Sequence, residues 1–299
     1  MTIPSRAKAT LSLSPKKSLG QNFLADERYL DQILAAAELT RADTVLEIGA
    51  GLGTLTRRLA TQAGHVITVE LDDRLIASLR VLAALQPNIR LVHGDILELD
   101  PAELVANAEY GVRNAEFSAS TTPYSALRIP HSYKVVANIP YYITSAILRR
   151  LLEASTPPTL AVLMVQKEVA ERICAAPGDL SLLAISVQFY ATPSIITTVP
   201  AAAFRPRPQV DSAVLRLITR PQPAVTTVTP TEFFGVVRAG FSQKRKQLLS
   251  NLSKTYSREQ LEEIFNEVGL ALNIRAEDVS LHLWLTLAEK LLSPTIYTS

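Results

Sequence analysis

The sequence of 299 residues contains a single cysteine and only four histidines. One cysteine excludes an internal disulfide bond and a thiolate metal cluster, and the histidines are too scattered to match the spacing of a metal site. Runs of about 18 apolar residues, which a transmembrane helix needs, are also missing. We therefore expect a cytoplasmic protein, in a reducing compartment, with no bound metal and no membrane span.

Charged residues make up only 19% of the sequence and hydrophobic residues 47%, a composition that favours a packed core over disorder. The net charge of +2 is unevenly distributed, because residues 180–258 contain ten Lys and Arg residues and only two acidic ones. This basic stretch indicates a polyanionic partner. A basic face that is merely solvated is the other interpretation, and charge alone does not separate the two.

Predicted strands and helices alternate along the first two thirds of the chain, a pattern typical of an α/β fold with a parallel sheet covered on both faces. We assign this first domain to residues 16–220, after a flexible N-terminal arm at residues 1–15. Weak periodicity indicates an insert at about residues 105–132. Residues 221–230 (PQPAVTTVTP) contain three prolines and no charge, and predict a linker to an all-helical C-terminal domain at residues 231–299.

A glycine-rich turn joins the first predicted strand of the sheet to a helix. Its spacing, Gly49-x-Gly51-x-Gly53, differs from the dinucleotide fingerprint G-x-G-x-x-G, and a tight turn without a ligand is the alternative interpretation. Two acids support a nucleoside ligand. Glu70 ends the next strand and can accept from ribose hydroxyls, while Asp95 follows the third strand and can accept from an adenine amine. The acids alone do not separate NAD from S-adenosylmethionine.

The most specific short motif, Asn138-Ile139-Pro140-Tyr141, follows the fourth predicted strand. The exocyclic amine of adenine is a poor nucleophile because its lone pair is delocalised into the ring. The Asn138 side-chain oxygen and a carbonyl of the Pro140 turn can accept its N–H groups, which aligns the lone pair with a methyl donor. Tyr141 offers a ring on which a base taken out of its helix can stack. An ordinary turn at a strand end is the alternative.

A second unusual segment, residues 204–212 (FRPRPQVDS), begins with an aromatic residue and is stiffened by two prolines. We expect Phe204 against the other face of the flipped base. Arg205 and Arg207 are expected to contact phosphates. A rigid surface loop before a strand is the alternative interpretation.

Together these segments resemble the rRNA adenine dimethyltransferases, and in particular the bacterial small-subunit KsgA (RsmA) family, whose catalytic core is shared with the Erm methyltransferases. The resemblance runs from about Lys16 to the C-terminus. It rests on the following segments in this order: residues 17–24 (KSLGQNFL), 47–53 (EIGAGLG), 69–70 (VE), 94–95 (GD), 138–141 (NIPY), 166–172 (QKEVAER) and 204–212.

The resemblance implies a Rossmann-like, seven-stranded S-adenosylmethionine-dependent methyltransferase fold with a small all-helical C-terminal domain. The implied cofactor is S-adenosylmethionine. Its pocket is expected to be lined by Asn22, Leu24, Gly49, Glu70, Asp95 and Asn138. We add Gly51 because it belongs to the same glycine turn. The resemblance puts Asn138 and Pro140 at the target amine, and Tyr141 and Phe204 against the target base. The implied substrate is a pair of adjacent adenosines in the 3′-terminal hairpin of small-subunit rRNA, within an assembling ribosomal subunit. We expect the protein to act as a monomer.

Two C-terminal segments, residues 241–248 and 275–280, favour the KsgA branch over Erm. The first contains Lys244, Arg245 and Lys246, which we expect to bind RNA. Two departures from the family are the insert between Asp95 and Asn138 and the lack of a Tyr-Gly pair in residues 177–183.

Three alternatives remain open at this point. The first is an Erm-type enzyme that acts on large-subunit rRNA. The second is an RNA- or DNA-binding factor that keeps the fold without the activity. The third is an NAD-dependent oxidoreductase, which the glycine spacing disfavours.

Overall fold

The computed structural model describes residue 16 and residues 20–106, 132–220 and 228–292. Its centre is a seven-stranded sheet, beside which lies a separate pair of two-residue strands. The strands in chain order are β1 (Phe23–Leu24), β2 (Thr44–Ile48), β3 (His65–Glu70), β4 (Ile89–His93), β5 (Lys134–Asn138), β6 (Leu160–Gln166), β7 (Ala191–Val199), β8 (Phe204–Arg205) and β9 (Ser212–Thr219).

The strand order in the main sheet is β4-β3-β2-β5-β6-β9-β7. Neighbouring strands from β4 to β6 are parallel, whereas β9 runs antiparallel to both β6 and β7. The chain first adds β3 and β4 to one side of β2 and then crosses over to add β5 to the other side. Ligands of such sheets bind at the carboxyl ends of the strands where the order reverses, which here are β2 and β5.

Helices cover both faces of this sheet. Because side chains alternate along a strand, each strand contributes to two cores. Val45 and Val136 belong to the core under α1–α3, whereas Leu46 and Val135 belong to the core under α4–α7. These helices are α1 (Glu27–Ala37), α2 (Thr54–Gln62), α3 (Asp73–Leu85), α4 (Pro101–Ala106), α5 (Thr144–Leu152), α6 (Lys167–Ile173) and α7 (Leu182–Tyr190).

The C-terminal helices form a third core that also includes one face of α7. Phe189 of α7 stacks on Phe233 with ring centroids 4.8 Å apart, and Trp284 is fully buried in the same cluster. The helical region therefore packs directly on the sheet domain through α7. Its helices are α8 (Pro230–Gly240), α9 (Leu248–Leu252), α10 (Arg258–Glu267) and α11 (Leu281–Leu292). Among all the helices described, none has the length and apolar character that a membrane span requires.

The seven-stranded α/β fold expected from the sequence is confirmed. Sequence patterns did not predict α4, α7 or the β1–β8 pair. The segment that forms α7, LLAISVQFY, is apolar on nearly all sides, and periodicity does not separate such a buried helix from a strand. β1 and β8 are two residues each and exist only because they pair with one another.

Two predicted boundaries need correction. Pro230, assigned to the linker, is the first residue of α8, and Thr229 caps that helix through a capping box with Glu232. Val105 and Ala106, assigned to the insert, belong to α4 and are buried. The N-terminal arm (residues 1–15), the rest of the insert (residues 107–131) and most of the linker (residues 221–227) lie outside the described residues.

Candidate active site

A cavity of about 160 Å³ opens at the carboxyl ends of β2 and β5, where the strand order reverses. Loops that follow four neighbouring parallel strands converge on it, and a segment before α1 closes one side. Its wall is formed by residues 20–23, 48–51 without Ala50, 69–71, 94–97 and 138–143. The cavity therefore unites the glycine turn, both predicted acids and the Asn138 motif, which are distant in the sequence.

The glycine turn presents backbone atoms to the cavity. Gly49 and Gly51 have φ values of 78° and 58°, a left-handed conformation that glycine adopts without strain. The Gly49 N–H donates to the Val69 carbonyl at 2.8 Å, so the turn is joined to β3. A Cβ atom at Gly51 would lie 3.1 Å from the Phe23 ring, which leaves little room for any larger residue. The positive φ values and the lack of space for a Cβ atom at Gly51 explain why glycine occupies these positions.

Glu70 lies at the end of β3 and is 6% exposed. Its Oε2 accepts from the Gly51 N–H at 2.8 Å, and its Oε1 accepts from the N–H groups of Leu71 at 3.0 Å and Asp72 at 2.8 Å. A carboxylate has about four acceptor positions, and the backbone takes three of them. With these bonds in place, about one acceptor position of the Glu70 carboxylate remains for a further donor.

Asp95 lies one strand further along the same sheet edge and lines the cavity half-buried. The Gly94 N–H donates to the Glu70 carbonyl at 3.0 Å, so the two acidic loops are directly joined. Asp95 Oδ1 accepts from the Leu97 N–H at 2.9 Å, which holds the carboxylate at the rim. The structure thus brings both predicted acids to one side of one cavity.

Asn138 is the last residue of β5, a strand that lies on the other side of β2 from β3 and β4. Its Nδ2 donates to the carbonyl of Asn22 at 3.1 Å. This bond fixes the orientation of the amide group. Nδ2 is the donor to Asn22, and Oδ1 remains as the acceptor. In the following turn the Pro140 carbonyl accepts from the Ile143 N–H at 3.2 Å and closes a 3-10 helix, Tyr141–Ile143.

Two consecutive tyrosines follow Pro140 and both line the cavity. The Tyr141 hydroxyl lies 2.6 Å from the Oγ of Ser212, a buried residue at the start of β9, and burial raises the pKa of Tyr141 above its usual value. Its ring is therefore anchored. Tyr142 is 62% exposed, and sequence analysis did not single it out.

Phe204 and Leu24 do not line this cavity. Phe204 is 0% exposed and packs in the core under α1–α3, while its backbone pairs with Leu24 in the β1–β8 ladder. The structure thus places Phe204 in the core rather than on the cavity wall, and its contact with the target base stays a prediction. Leu24 instead lines a smaller cavity of about 50 Å³ behind the glycine turn, together with Gly49, Gly51 and Asn138.

Glu47, for which the sequence predicts no role, lies two residues before Gly49 and is 0% exposed. Its Oε2 accepts from the hydroxyls of Thr56 in α2 and Thr68 in β3, each at 2.7 Å. Its Oε1 has no partner within the described parts of the chain. Burial raises the pKa of Glu47 to about 8, so the buried group is mostly neutral at pH 7. Glu47 joins β2, α2 and β3 beneath the glycine turn.

The predicted RNA-binding residues are exposed, but they lie in two different places. Arg205 is the last residue of β8, and Arg207 lies on the loop between β8 and β9. Arg205 Nη1 also donates to the carbonyls of Ala202 and Phe204 at 2.9 and 2.8 Å. Lys244, Arg245 and Lys246 lie in the turn between α8 and α9. Another cation of the basic stretch, Arg216, is bound to Glu38 and to the Ala36 carbonyl, so not every basic residue is available to a partner.

Comparison with known proteins extends this picture. The model of the ribosomal RNA adenine dimethylase family matches residues 13–292 of the chain. Ribosomal RNA small subunit methyltransferase A of Dehalococcoides mccartyi is 43% identical over 276 residues, which cover 91% of this chain and 87% of that protein. The protein of the same name from Bacillus mycoides is 38% identical over an alignment of 300 residues, with coverage of 97% and 96%. The crystal structure of the 23S rRNA methyltransferase ErmE superposes with a TM-score of 0.69 at 30% identity, and covers 90% of this chain and 99% of that one.

Proposed function

Because the chain belongs to the ribosomal RNA adenine dimethylase family, we propose that it dimethylates the exocyclic amines of two adjacent adenosines in the 3′-terminal hairpin of small-subunit rRNA. The methyl donor is S-adenosylmethionine. The observation that carries the proposal is the position of Asn138, which lines the same cavity as Glu70 and Asp95. The small-subunit substrate is favoured over the large-subunit one by the names of the relatives that are 38–43% identical, compared with 30% for ErmE.

The cavity residues fit S-adenosylmethionine. Glu70 is placed to accept from a ribose hydroxyl and Asp95 from the adenine amine, while the glycine turn leaves space for close approach of the ligand. Leu71 and Ile96, which also line the cavity, add apolar surface for the adenine ring. When bound, this cofactor supplies a methyl group on a positively charged sulfur, so the protein needs no strong general base.

At the target amine, Asn138 Oδ1 accepts one N–H. We assign the second acceptor to the Ile139 carbonyl, because the Pro140 carbonyl already accepts from Ile143. Two acceptors in fixed positions orient the amine lone pair towards the methyl group and stabilise the positive charge that develops on nitrogen. The anchored ring of Tyr141 provides the stacking surface for the flipped base.

The same two acceptors explain why the reaction proceeds twice and then stops. When the nitrogen lone pair has taken up one methyl group, the nitrogen releases one proton to water, and the neutral amine keeps a single N–H, which one of the acceptors still holds. After the second transfer no N–H remains, so the product loses both hydrogen bonds and is released. Dimethyladenosine is therefore the expected end product.

The proposal is tested by incubating the purified protein and S-adenosylmethionine with small-subunit particles that lack the modification, and in parallel with unmodified large-subunit RNA. Mass spectrometry of the nucleosides is expected to show dimethyladenosine from the small-subunit particles. Product from the large-subunit RNA alone would identify an Erm-type activity. Absence of product from both, with intact cofactor binding, would favour a non-catalytic binding factor.

Cofactor binding depends on Glu70 in this arrangement. Glu70→Ala is expected to weaken S-adenosylmethionine binding by about 1–3 kcal/mol, because a buried hydroxyl and the Gly51 N–H lose their acceptor. Glu98→Ala is the matched control, since it removes an exposed carboxylate outside the cavity wall. Isothermal titration calorimetry measures both, and equal affinities of the two folded variants would remove Glu70 from the site.

RNA binding is assigned in part to the exposed turn between α8 and α9. Replacing Lys244, Arg245 and Lys246 together by alanine is expected to lower the slope of log affinity against log salt by about 0.7–0.9 for each phosphate that the variant no longer binds. Affinity for S-adenosylmethionine should not change. The control is Arg80→Ala, which removes an exposed cation from α3. If the triple variant keeps the wild-type slope, the turn is a solvated basic surface.

A further inference from the structure

We propose that Asp72 is a positioning residue for methyl transfer: through Gln21 it holds residues 20–24, here called the N-terminal strap, against the cofactor pocket, and through the strap it sets the orientation of Asn138. The inference rests on the proposed function, because its catalytic consequence is exerted on the target amine. Asp72 itself does not line the cavity.

The N-terminal strap forms one wall of the cavity, since residues 20–23 all line it. It also holds the Asn138 side chain, because the carbonyl of Asn22 accepts the Asn138 Nδ2–H at 3.1 Å. A movement of the strap would release this amide and let the Asn138 side chain rotate. The position of the strap therefore decides where the acceptor Oδ1 points.

Two attachments hold the strap in place. At its C-terminal end, β1 pairs with β8, and the N–H of Ala25 donates to the Ala203 carbonyl at 2.8 Å. At its N-terminal end, Gln21 Nε2 donates to Asp72 Oδ2 at 2.7 Å. Gln21 Oε1 accepts from the Lys16 N–H at 2.8 Å and from Arg74 Nη2 at 3.5 Å.

Asp72 is well suited to hold such an attachment. It is 3% exposed, and its oxygens accept from Arg74 Nε at 2.9 Å and Nη2 at 2.6 Å as well as from Gln21. The hydrogen bonds from Arg74 hold the pKa of Asp72 far below its usual range, so the carboxylate remains ionised at any pH at which the enzyme works. An ionised acceptor that is shielded from water makes a strong hydrogen bond to the Gln21 amide.

Asp72 also connects the two halves of the site. Its N–H donates to Glu70 Oε1 at 2.8 Å, and Glu70 in turn accepts from Gly51. A continuous path of hydrogen bonds and backbone therefore runs from the glycine turn through Glu70, Asp72 and the strap to Asn138. Through this path, residues that bind the methyl donor are positioned relative to the residue that orients the methyl acceptor.

A role as helix cap alone does not account for Asp72. Asp26 caps α1 in the same manner as Asp72 caps α3: each accepts from the N–H and the guanidinium of an arginine two residues later. The two differ in that the Asp26 side chain is 26% exposed and that of Asp72 only 2%. They differ as well in the bond from Gln21, which only Asp72 receives. The burial of Asp72 and its contact with the strap are therefore features that capping of α3 does not require.

The test exchanges the donor and the acceptor of the contact between Gln21 and Asp72. Gln21→Glu places a second carboxylate against Asp72, and Gln21→Glu with Asp72→Asn restores an amide–carboxylate pair in the opposite sense. Gln32→Glu is the matched control, because it makes the same change at an exposed position of α1. For each full-length variant we would measure the dissociation constant of S-adenosylmethionine by calorimetry, kcat on unmodified small-subunit particles, the thermal midpoint, and amide hydrogen exchange of residues 22–25 without cofactor.

Gln21→Glu is expected to raise the dissociation constant and lower kcat by roughly tenfold each, the effect of losing one hydrogen bond to a charged group. Exchange of the strap amides should become faster. The double variant should return both constants to within about threefold of wild type. A merely structural role would lower the thermal midpoint without this paired loss and recovery.

Wild-type values for Gln21→Glu in binding, kcat and exchange would overturn the proposal, as would a loss that the double variant fails to recover. If Gln21→Glu does not fold, Gln21→Leu replaces it, because leucine removes the donor without adding a charge. The same losses in binding, kcat and exchange protection are then expected, and wild-type values would overturn the proposal. If wild-type protein itself fails to methylate either RNA, the proposed function fails, whereas the exchange data still decide whether Asp72 holds the strap.

Discussion

Asn138→Ala lowers kcat for methyl transfer by about 10²–10³-fold, the loss expected when one preorganised polar group is removed from an active site. In the proposed mechanism Oδ1 of this side chain accepts from the target amine, while its Nδ2 donates to the Asn22 carbonyl at 3.1 Å. Alanine leaves the amine with a single acceptor, and its lone pair remains delocalised into the ring for more of the time. Affinity for S-adenosylmethionine should change far less, because Glu70, Asp95 and the glycine turn remain in place.

The matched variant Asn138→Asp separates the two functions of the amide. Aspartate keeps an acceptor for the amine but has no donor for the Asn22 carbonyl, so it should retain more activity than alanine. Single-turnover rates on unmodified small-subunit particles, followed by mass spectrometry, measure monomethyl and dimethyl products separately. Dimethylation by Asn138→Ala at the wild-type rate would exclude the proposed mechanism.

Glu47→Gln changes how the stability of the protein depends on pH. The pKa of Glu47 is about 8 in the folded protein, because the carboxyl is buried, and 4.5 in the unfolded chain. Below pH 4.5 the group is neutral in both states and contributes nothing. Between pH 4.5 and 8 the unfolded chain ionises while the folded protein does not, so the free energy of unfolding falls by about 1.4 kcal/mol for each pH unit. Above pH 8 the loss is constant, at about 5 kcal/mol.

Glutamine cannot ionise, so the variant escapes this loss. Its stability relative to wild type should therefore rise steadily between pH 5 and pH 8, although its buried amide nitrogen has a constant cost at every pH. Urea unfolding at several pH values measures the difference, and Glu98→Gln at an exposed position is the control. Parallel curves for wild type and Glu47→Gln would show that the carboxyl is not buried as a neutral group.

The difference between Glu47 and Glu70 illustrates where sequence reasoning ends. Both are acids at or near the end of a predicted strand. Glu47 lies two positions before the glycine turn, and Glu70 ends the next strand. Glu70 was assigned to a ligand because parallel strands bring their carboxyl ends to one edge. The role of Glu47 was not found, because its two partners, Thr56 and Thr68, are identified only when α2 and β3 have packed on β2.

Phe204 is the reverse case: the sequence predicts a place at the site, whereas the structure buries the side chain. An aromatic residue in a proline-rich loop beside basic residues is typical of a base-stacking site, and the resemblance supported that interpretation. In the structure Phe204 is fully buried between the sheet and α1–α3, and the exposed aromatic residue at the cavity is Tyr142. Residue type indicates which contacts a side chain can make. Whether the side chain is exposed depends on the tertiary structure, which here pairs β8 with β1.

The sequence by itself determined the alternation of strands and helices, the glycine turn, the acids at successive strand ends and the Asn138 motif. These features are local or follow from the rule that parallel strands share one carboxyl edge. Only the tertiary structure decided which of these side chains reach the cavity, how many acceptor positions Glu70 has left, and that Asp72 is joined to Asn138 through Gln21 and Asn22. Those contacts join residues 51 and 116 positions apart, and their strength depends on exclusion of water, a property of the packed chain that no local segment possesses.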